Sequence, residues 1–390
     1  MLQIKVIKPG LKSSGDYFHP SVALLPGGDW LMCMQALAGH SDHYGSPEYC
    51  VSSELGDGWS APSVILPMES HALSAELTEG VADVRLFALP GSTRVLAIGC
   101  NTFYTAKGAL AWDKEAARSL QAPPRQVPVY SIYNPGSGWS PMRKLEAPSM
   151  VSCDNWRVAC AQLAFTPEGQ ILLPVYFETG RVEFYGHDSP QFSVCVMQAV
   201  LQGDDLSILN SSNVLSHPVA RGFCEPSLYD YHGEYFLTIR AEDGRGYWSC
   251  SADPMHFPEP RPWSFSDGEL LKMSSTQQHW LELNGKLYLV YTRDTGKNSD
   301  VMRFRAPLLI ARFDLETGTL DRNSEQVVLP HETRDGVHGL LGNFHCLSLP
   351  DGSGIVVDAA AFLKVRGDDI VGQYTEVWIA QVQEVTGVSI

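Results

Sequence analysis

The chain has 390 residues, 44% of them hydrophobic and 18% charged, with a net charge of −16. That balance suits a folded chain with a sizeable core, and so negative a charge with no basic stripe argues against nucleic acid as a partner. No apolar run approaches the roughly 18 residues of a membrane span. The start, Met1 to Lys8, alternates polar and apolar residues and lacks the apolar run of a signal peptide. It points to a cytoplasmic protein, or to a periplasmic or secreted one if a leader has been removed. Nine cysteines with no CxxC spacing, mostly inside apolar runs, read as buried free thiols.

Taken in chain order, the first element is a short strand, Gln3-Ile4-Lys5-Val6-Ile7. Six segments of one pattern then follow at intervals of roughly sixty residues. They begin at His19, Asp83, Cys160, Glu225, Gln278 and Phe344, and each runs as a short strand into a Gly-containing hairpin turn. A second strand follows every turn, as in Trp30 to Met34, Val95 to Gly99 and Leu287 to Tyr291. A third is usual, as in Leu308 to Phe313. One such unit cannot bury both faces of its sheet, whereas units stacked around an axis can.

The pattern therefore predicts an all-β chain, residues 1–390 forming a single β-propeller domain of six blades, with seven as the alternative. The last segment has room for about three strands, so the N-terminal strand supplies the fourth and closes the ring. Helical periodicity is confined to an Ala-rich insert near 106–120.

Ser52-Ser53-Glu54-Leu55-Gly56-Asp57-Gly58-Trp59 resembles the Asp-box of sialidase-type propellers, S-x-D-x-G-x-x-W, with Glu in place of Asp. Asn134 to Trp139 and Ser251 to Phe257 are weaker copies. In that superfamily the box is a turn device on the outer hairpin, so it speaks for fold and not for function. Sialidases hold a carboxylate with three Arg, the first on an early strand. Here the corresponding stretch is Tyr17-Phe18-His19-Pro20-Ser21, and no Arg precedes Arg85.

A second resemblance covers Gly222 to about Asn343. Gly222-Phe223-Cys224-Glu225-Pro226-Ser227, Thr276-Gln277-Gln278-His279-Trp280, Tyr291-Thr292-Arg293 and Arg303 to Leu308 look like propeller ulvan lyases, rhamnose–glucuronate lyases and related rhamnosidase-like enzymes. That likeness implies action at a uronate linkage. It also implies two early His, matched here by His19 and His40, and a Tyr for which Tyr104 and Tyr176 both stand as candidates.

Inner strands of a propeller line the axis, and a core position there is ordinarily apolar. Four of the six aligned positions are instead polar or ionisable: His19, Asp83, Glu225 and Gln278. His19 is a candidate general base because imidazole titrates near neutrality. His40 joins it as a candidate for catalysis or substrate contact. His40-Ser41-Asp42-His43 is weak evidence for a metal. Asp83 and Glu225 are candidates for an acid/base pair, or Glu225 for a salt bridge to an Arg across the channel. Gln278 and His279 beside Trp280 suggest hydrogen bonding and stacking for a sugar ring. Arg240, Arg293 and Arg303, with Arg305, suggest a grip on a carboxylate or sulfate, with surface ion pairing as the bland alternative.

The expected activity is that of a carbohydrate-active enzyme, a lyase or glycoside hydrolase, cleaving a glycosidic bond next to an acidic sugar in an oligosaccharide. It would work by His/Tyr-assisted β-elimination or by hydrolysis. An exo-sialidase-type hydrolase and a non-catalytic glycan-binding propeller are the alternatives. No cofactor is required on this reading, although a structural cation such as Ca²⁺ near Asp83 and Glu225 stays open, as does the oligomeric state.

Overall fold

The computed structural model describes residues 1–11, 16–38, 42–108, 110–111, 125–147, 155–184, 186–273, 275–366 and 369–385. It is an all-β molecule of six sheets arranged as six propeller blades. Blade one runs Tyr17–Leu24, Trp30–Leu37, Tyr44–Ser52 and Ser63–Val64 from the axis outwards, every neighbour antiparallel. Blade four repeats that order with Cys224–Tyr231, Glu234–Arg240, Gly246–Ser251 and Arg261–Pro262.

Each hairpin between first and second strands turns at a glycine with positive φ: Gly28, Gly91, Gly169, Gly233, Gly285 and Gly352. Only glycine adopts that conformation without a Cβ penalty, which explains its recurrence in every unit.

The ring closes as the sequence predicts. Leu2–Ile7 pairs antiparallel with the last strand, Leu2 opposite Glu384 and Ile7 opposite Ile379. Blade six is thus built from both ends of the chain, with His345–Ser348, Gly354–Arg366 and Asp369–Glu384 as its other main strands. The last two pair from Gly354↔Val382 out to Arg366↔Asp369, so this hairpin runs well past the inner strand.

Apolar side chains cluster between blades. Leu281, Leu308, Phe344 and Trp378 join blades five and six, and Met32, Met34, Val357 and Ile379 join blades six and one. Trp248, Trp263, Trp280 and Phe313 join blades four and five. Each blade therefore buries both of its faces against neighbours.

The first Asp-box folds as a turn on the outer hairpin. Ser52 Oγ accepts from Glu54 N and donates to the Asp57 carbonyl, and Trp59 Nε1 donates to the Leu55 carbonyl. Of the Ala-rich insert, residues 109 and 112–124 lie outside the described residues, and Thr105–Gly108 forms a turn. Among the described residues eight cysteines are free thiols, all buried except the half-buried Cys250. Among the described residues no helix is long and apolar enough to cross a membrane.

Candidate active site

Four of the six aligned entry positions share one backbone property. His19, Asp83, Cys160 and Glu225 all have left-handed φ, at 52°, 60°, 56° and 45°. In blades one, two and four the strand pairing shifts register there, between Phe18 and Ser21, Ala82 and Arg85, and Cys224 and Ser227. A bulge of this kind re-aims one side chain and breaks the alternation of the strand. Each such residue costs about 1–3 kcal/mol, which persists only where the surroundings over-determine it.

The bulges bring these side chains together at one end of the axis. His19 Nδ1 lies 2.9 Å from Asp83 Oδ1, an electrostatic contact more than a well-aligned hydrogen bond. The Cys160 thiol reaches the same Asp83 oxygen at 3.3 Å. Burial alone would raise the Asp83 carboxyl, but the opposite charges of His19 and Arg85 and the thiol hydrogen bond pull it down to about 2. Asp83 is therefore a carboxylate at any working pH and a poor proton donor. Burial, and then the Asp83 charge, raise the Cys160 thiol well above its usual value, so it is no thiolate nucleophile.

Beneath this ring the axis is filled. Arg85, 1% exposed, donates to the carbonyls of His19 at 3.0 Å and Asn343 at 3.1 Å. Gln162 crosses from blade three to bond Trp280 N at 2.7 Å and the Trp280 carbonyl at 2.8 Å. The site is thus a funnel with a floor, not an open channel.

A cleft of about 770 Å³ opens beside it, against blades five, six and one. Its polar lining includes Tyr44, Arg305, Asn343, His338 and Asp358. The ring of Tyr44 packs on His19 with centroids 4.6 Å apart, which joins cleft to funnel. Burial first, then the charges of Asp42 and Asp83, raise the Tyr44 hydroxyl well above its usual value and keep it protonated.

Arg305 donates to Asn343 Oδ1 at 2.8 Å, and among the described residues no carboxylate lies within ion-pairing distance of it. Burial, then the like charges of Arg240 and Arg303, disfavour its cation. Arg305 remains charged nonetheless, so an arriving anion would relieve it. Asp358 accepts from Gly342 N at 2.6 Å and Ala359 N at 2.8 Å, and so fixes the Leu341–Asn343 segment that holds Arg305. Burial raises its carboxyl to about 6.

The other expected site residues are placed differently. Glu225 pairs with Arg240 at 2.5 Å, and Arg240 with Glu242 at 3.1 Å, so Glu225 is in a salt bridge, but with an Arg of the adjacent strand of its own blade and not across the channel, and Arg240 is already engaged. Arg303 is exposed, and its charge acts on Glu242 and Arg305. Arg293 is corrected from substrate grip to structural anchor, because it forms a fork with Glu325 at 2.5 and 2.8 Å.

Gln278, His279 and Trp280 are also corrected. All three are at most 2% exposed, lie outside the cleft lining and are taken up by blade packing. Gln278 Oε1 accepts from Trp263 Nε1, His279 bonds Ser227 Oγ at 2.7 Å, and Trp280 packs among aromatic rings. Their entry strand pairs without a bulge, which turns these residues into the blade packing. His40 lies outside the described residues. No group of three or more His, Cys, Asp or Glu suited to a metal occurs among the described residues.

No protein-family model and no curated protein matches the chain. Solved structures do. A Dyadobacter fermentans protein titled as of unknown function matches with a TM-score of 0.66 at 14% identity, over 98% of this chain and 99% of that one. Trypanosoma rangeli sialidase in complex with sialic acid matches with a TM-score of 0.60 at 12% identity, over 97% of this chain and 57% of that one. The NanB sialidase of Streptococcus pneumoniae matches with a TM-score of 0.61 at 10% identity, over 96% of this chain and 70% of that one. The fold is that of the sialidase propellers. This chain spans little more than half of the trypanosomal enzyme, and identities this low show the fold alone. The two named enzymes are sialidases and not lyases, so the likeness to uronate lyases rests on sequence alone.

Proposed function

We propose that the chain cleaves a glycosidic bond next to an acidic sugar, a uronate, whose carboxylate seats on Arg305. The observation that carries this reading is the half-buried Arg305 guanidinium, without a carboxylate in ion-pairing distance among the described residues, opening on a cleft whose Tyr44 packs against His19 of the His19–Asp83 pair. A partly desolvated guanidinium is costly to leave without a close anion, and a bidentate carboxylate is its natural complement.

The groups present favour β-elimination. Neutralising the uronate carboxylate at Arg305 acidifies the C5 proton. His19, 3% exposed and meeting the cleft through the Tyr44 ring, would take that proton on Nε2, its Nδ1 facing Asp83. The C5–H electron pair forms the C4–C5 double bond, the C4–O bond breaks, and Tyr44 gives its proton to the departing oxygen. Asp83 stays ionised throughout and stabilises the imidazolium, a positioning task that its lowered pKa suits.

Hydrolysis is the second reading, favoured by the sialidase fold neighbours. It would need Glu225 or His19 as proton donor, since Asp83 is too acidic.

The test is a screen of uronate- and sialate-bearing oligosaccharides, read by near-ultraviolet absorbance and by reducing ends. New reducing ends with absorbance support elimination, and reducing ends without it support hydrolysis. Loss of turnover in His19→Ala by about 10²- to 10⁴-fold is expected on the elimination reading. Undiminished turnover in that variant would remove His19 from the mechanism. No turnover of any acidic glycan by the wild type would leave a binding propeller.

A further inference from the structure

Asp358 lines the same cleft as Arg305 and takes no part in the chemistry above. It lies in Gly354–Arg366, the strand that leads into the last hairpin of the ring, and it is 1% exposed. Each of its carboxyl oxygens accepts one backbone N–H, Oδ2 from Gly342 at 2.6 Å and Oδ1 from Ala359 at 2.8 Å. No cation lies within ion-pairing distance of it among the described residues. A carboxyl oxygen accepts along two directions, so each keeps one that can carry a proton. Protonation therefore leaves the bonds to Gly342 and Ale359 in place, and with them the segment that holds Arg305.

The charged groups around Asp358 set what a proton there would do. Arg305 in the cleft and Arg85 beneath the funnel are the cations whose charge it feels. On the inner strand of its own blade, Cys346 is kept protonated by burial first and then by the Asp358 charge. Beside it His345 is neutral, lowered to about 3 by burial and by Arg85. The remaining titratable groups of the cleft are Asp42, Tyr44, Asp300, His338 and Lys364. Asp300 already faces His338 at 3.3 Å.

Seating a uronate on Arg305 brings a second carboxylate into a cleft that holds one without a paired cation. Two carboxylates in one poorly solvated site repel, and the one with the higher pKa takes a proton. A sugar acid titrates near the α-carboxyl range of about 3.5. Burial raises Asp358 to about 6, against the pull of its two N–H bonds and of Arg305 and Arg85. The proton, drawn from solvent, therefore goes to Asp358. We propose that binding of the uronate at Arg305 is coupled to uptake of a proton by Asp358, which turns the buried carboxylate of the cleft into a neutral O–H donor. This deepens the function proposed above and rests on its assignment of the acid to Arg305.

The experiment is calorimetric titration of the β-1,4-linked glucuronate trisaccharide, two of whose residues carry a sugar on O4. The protein is the full chain with His19→Ala, which halts turnover and removes that imidazole from the titration. Binding is measured at pH 5, 6 and 8, and at pH 6 in buffers of different ionisation enthalpy. A rise of about one pKa unit at Asp358 gives uptake of about 0.4 proton at pH 6 and affinity roughly tenfold weaker at pH 8 than at pH 5. Asp358→Asn should abolish the uptake and make affinity independent of pH. His338→Gln, expected to keep the uptake, is the second variant if the first folds poorly by its melting temperature. Equal affinity at pH 5 and 8 with no uptake would overturn the coupling and leave the acid subsite standing. So would uptake that persists in Asp358→Asn or vanishes in His338→Gln. No binding, or binding unchanged by Arg305→Met, would overturn the acid subsite and the coupling with it.

Discussion

Arg305 and Trp280 were both candidates for substrate contact, and the structure separates them by their surroundings. Arg305 has an amide, a hydroxyl and other cations around it. Arg305→Met is expected to weaken binding of an acidic oligosaccharide by more than tenfold while leaving the melting temperature unchanged or raised, because it removes a half-buried charge that has no carboxylate in ion-pairing distance among the described residues. A lowered melting temperature with unchanged affinity would make it a structural residue. Trp280 is wholly buried among Trp263, Phe236 and Phe313. Trp280→Ala is expected to cost about 3–5 kcal/mol in urea denaturation, with ligand affinity retained in the folded fraction. Two carboxyls give opposite pH signatures. Asp83 is lowered to about 2 from 3.8, so its stabilisation is complete above pH 4 and lost as pH falls through 2. Asp358 is raised to about 6, so its contribution favours the fold below pH 4 and is lost as pH rises through 6. Asp358→Asn should therefore flatten the decline in urea midpoint between pH 4 and 6.5. An unchanged slope would place that titration elsewhere.

At the scale of the element, the entry strands decide which residues meet. The repeat was legible because each strand ends in a glycine turn and begins at an equivalent position, and equivalent positions in a closed ring share an axis. Hence His19, Asp83 and Glu225 could be brought to one place from sequence alone. The bulge that aims them is a backbone feature with no residue signature, so its absence from blade five was not legible. Gln278 to Trp280 looked like a sugar platform because polar and aromatic types adjoin there. Their direction, set by the unbulged register, puts them inside. Tyr44, Asp358 and the long hairpin of blade six were missed for another reason. Tyr44 begins a third strand and the hairpin extends past the repeated unit, while Asp358 lies within a strand of it, and the roles of all three depend on which elements converge at one face.

At the scale of the molecule, the ring makes the site. Blades contributed by distant parts of the chain meet only when the last blade accepts the first strand. Leu2 and Ile4 pack into the blade-five and blade-six cluster, and Ile7 into that between blades six and one. Removing residues 1–7 should lower the melting temperature and reduce affinity for acidic glycans together, since the cleft lies against blades five, six and one. Loss of stability with undiminished affinity would show that the cleft does not depend on closure. The proposed chemistry depends on where an acidic sugar sits. A crystal structure of the His19→Ala protein with a uronate-bearing oligosaccharide tests this most directly. The carboxylate is expected within hydrogen-bonding distance of the Arg305 guanidinium, with the uronate C5 facing position 19. A glycan bound on another face, or one whose carboxylate points to solvent, would contradict it.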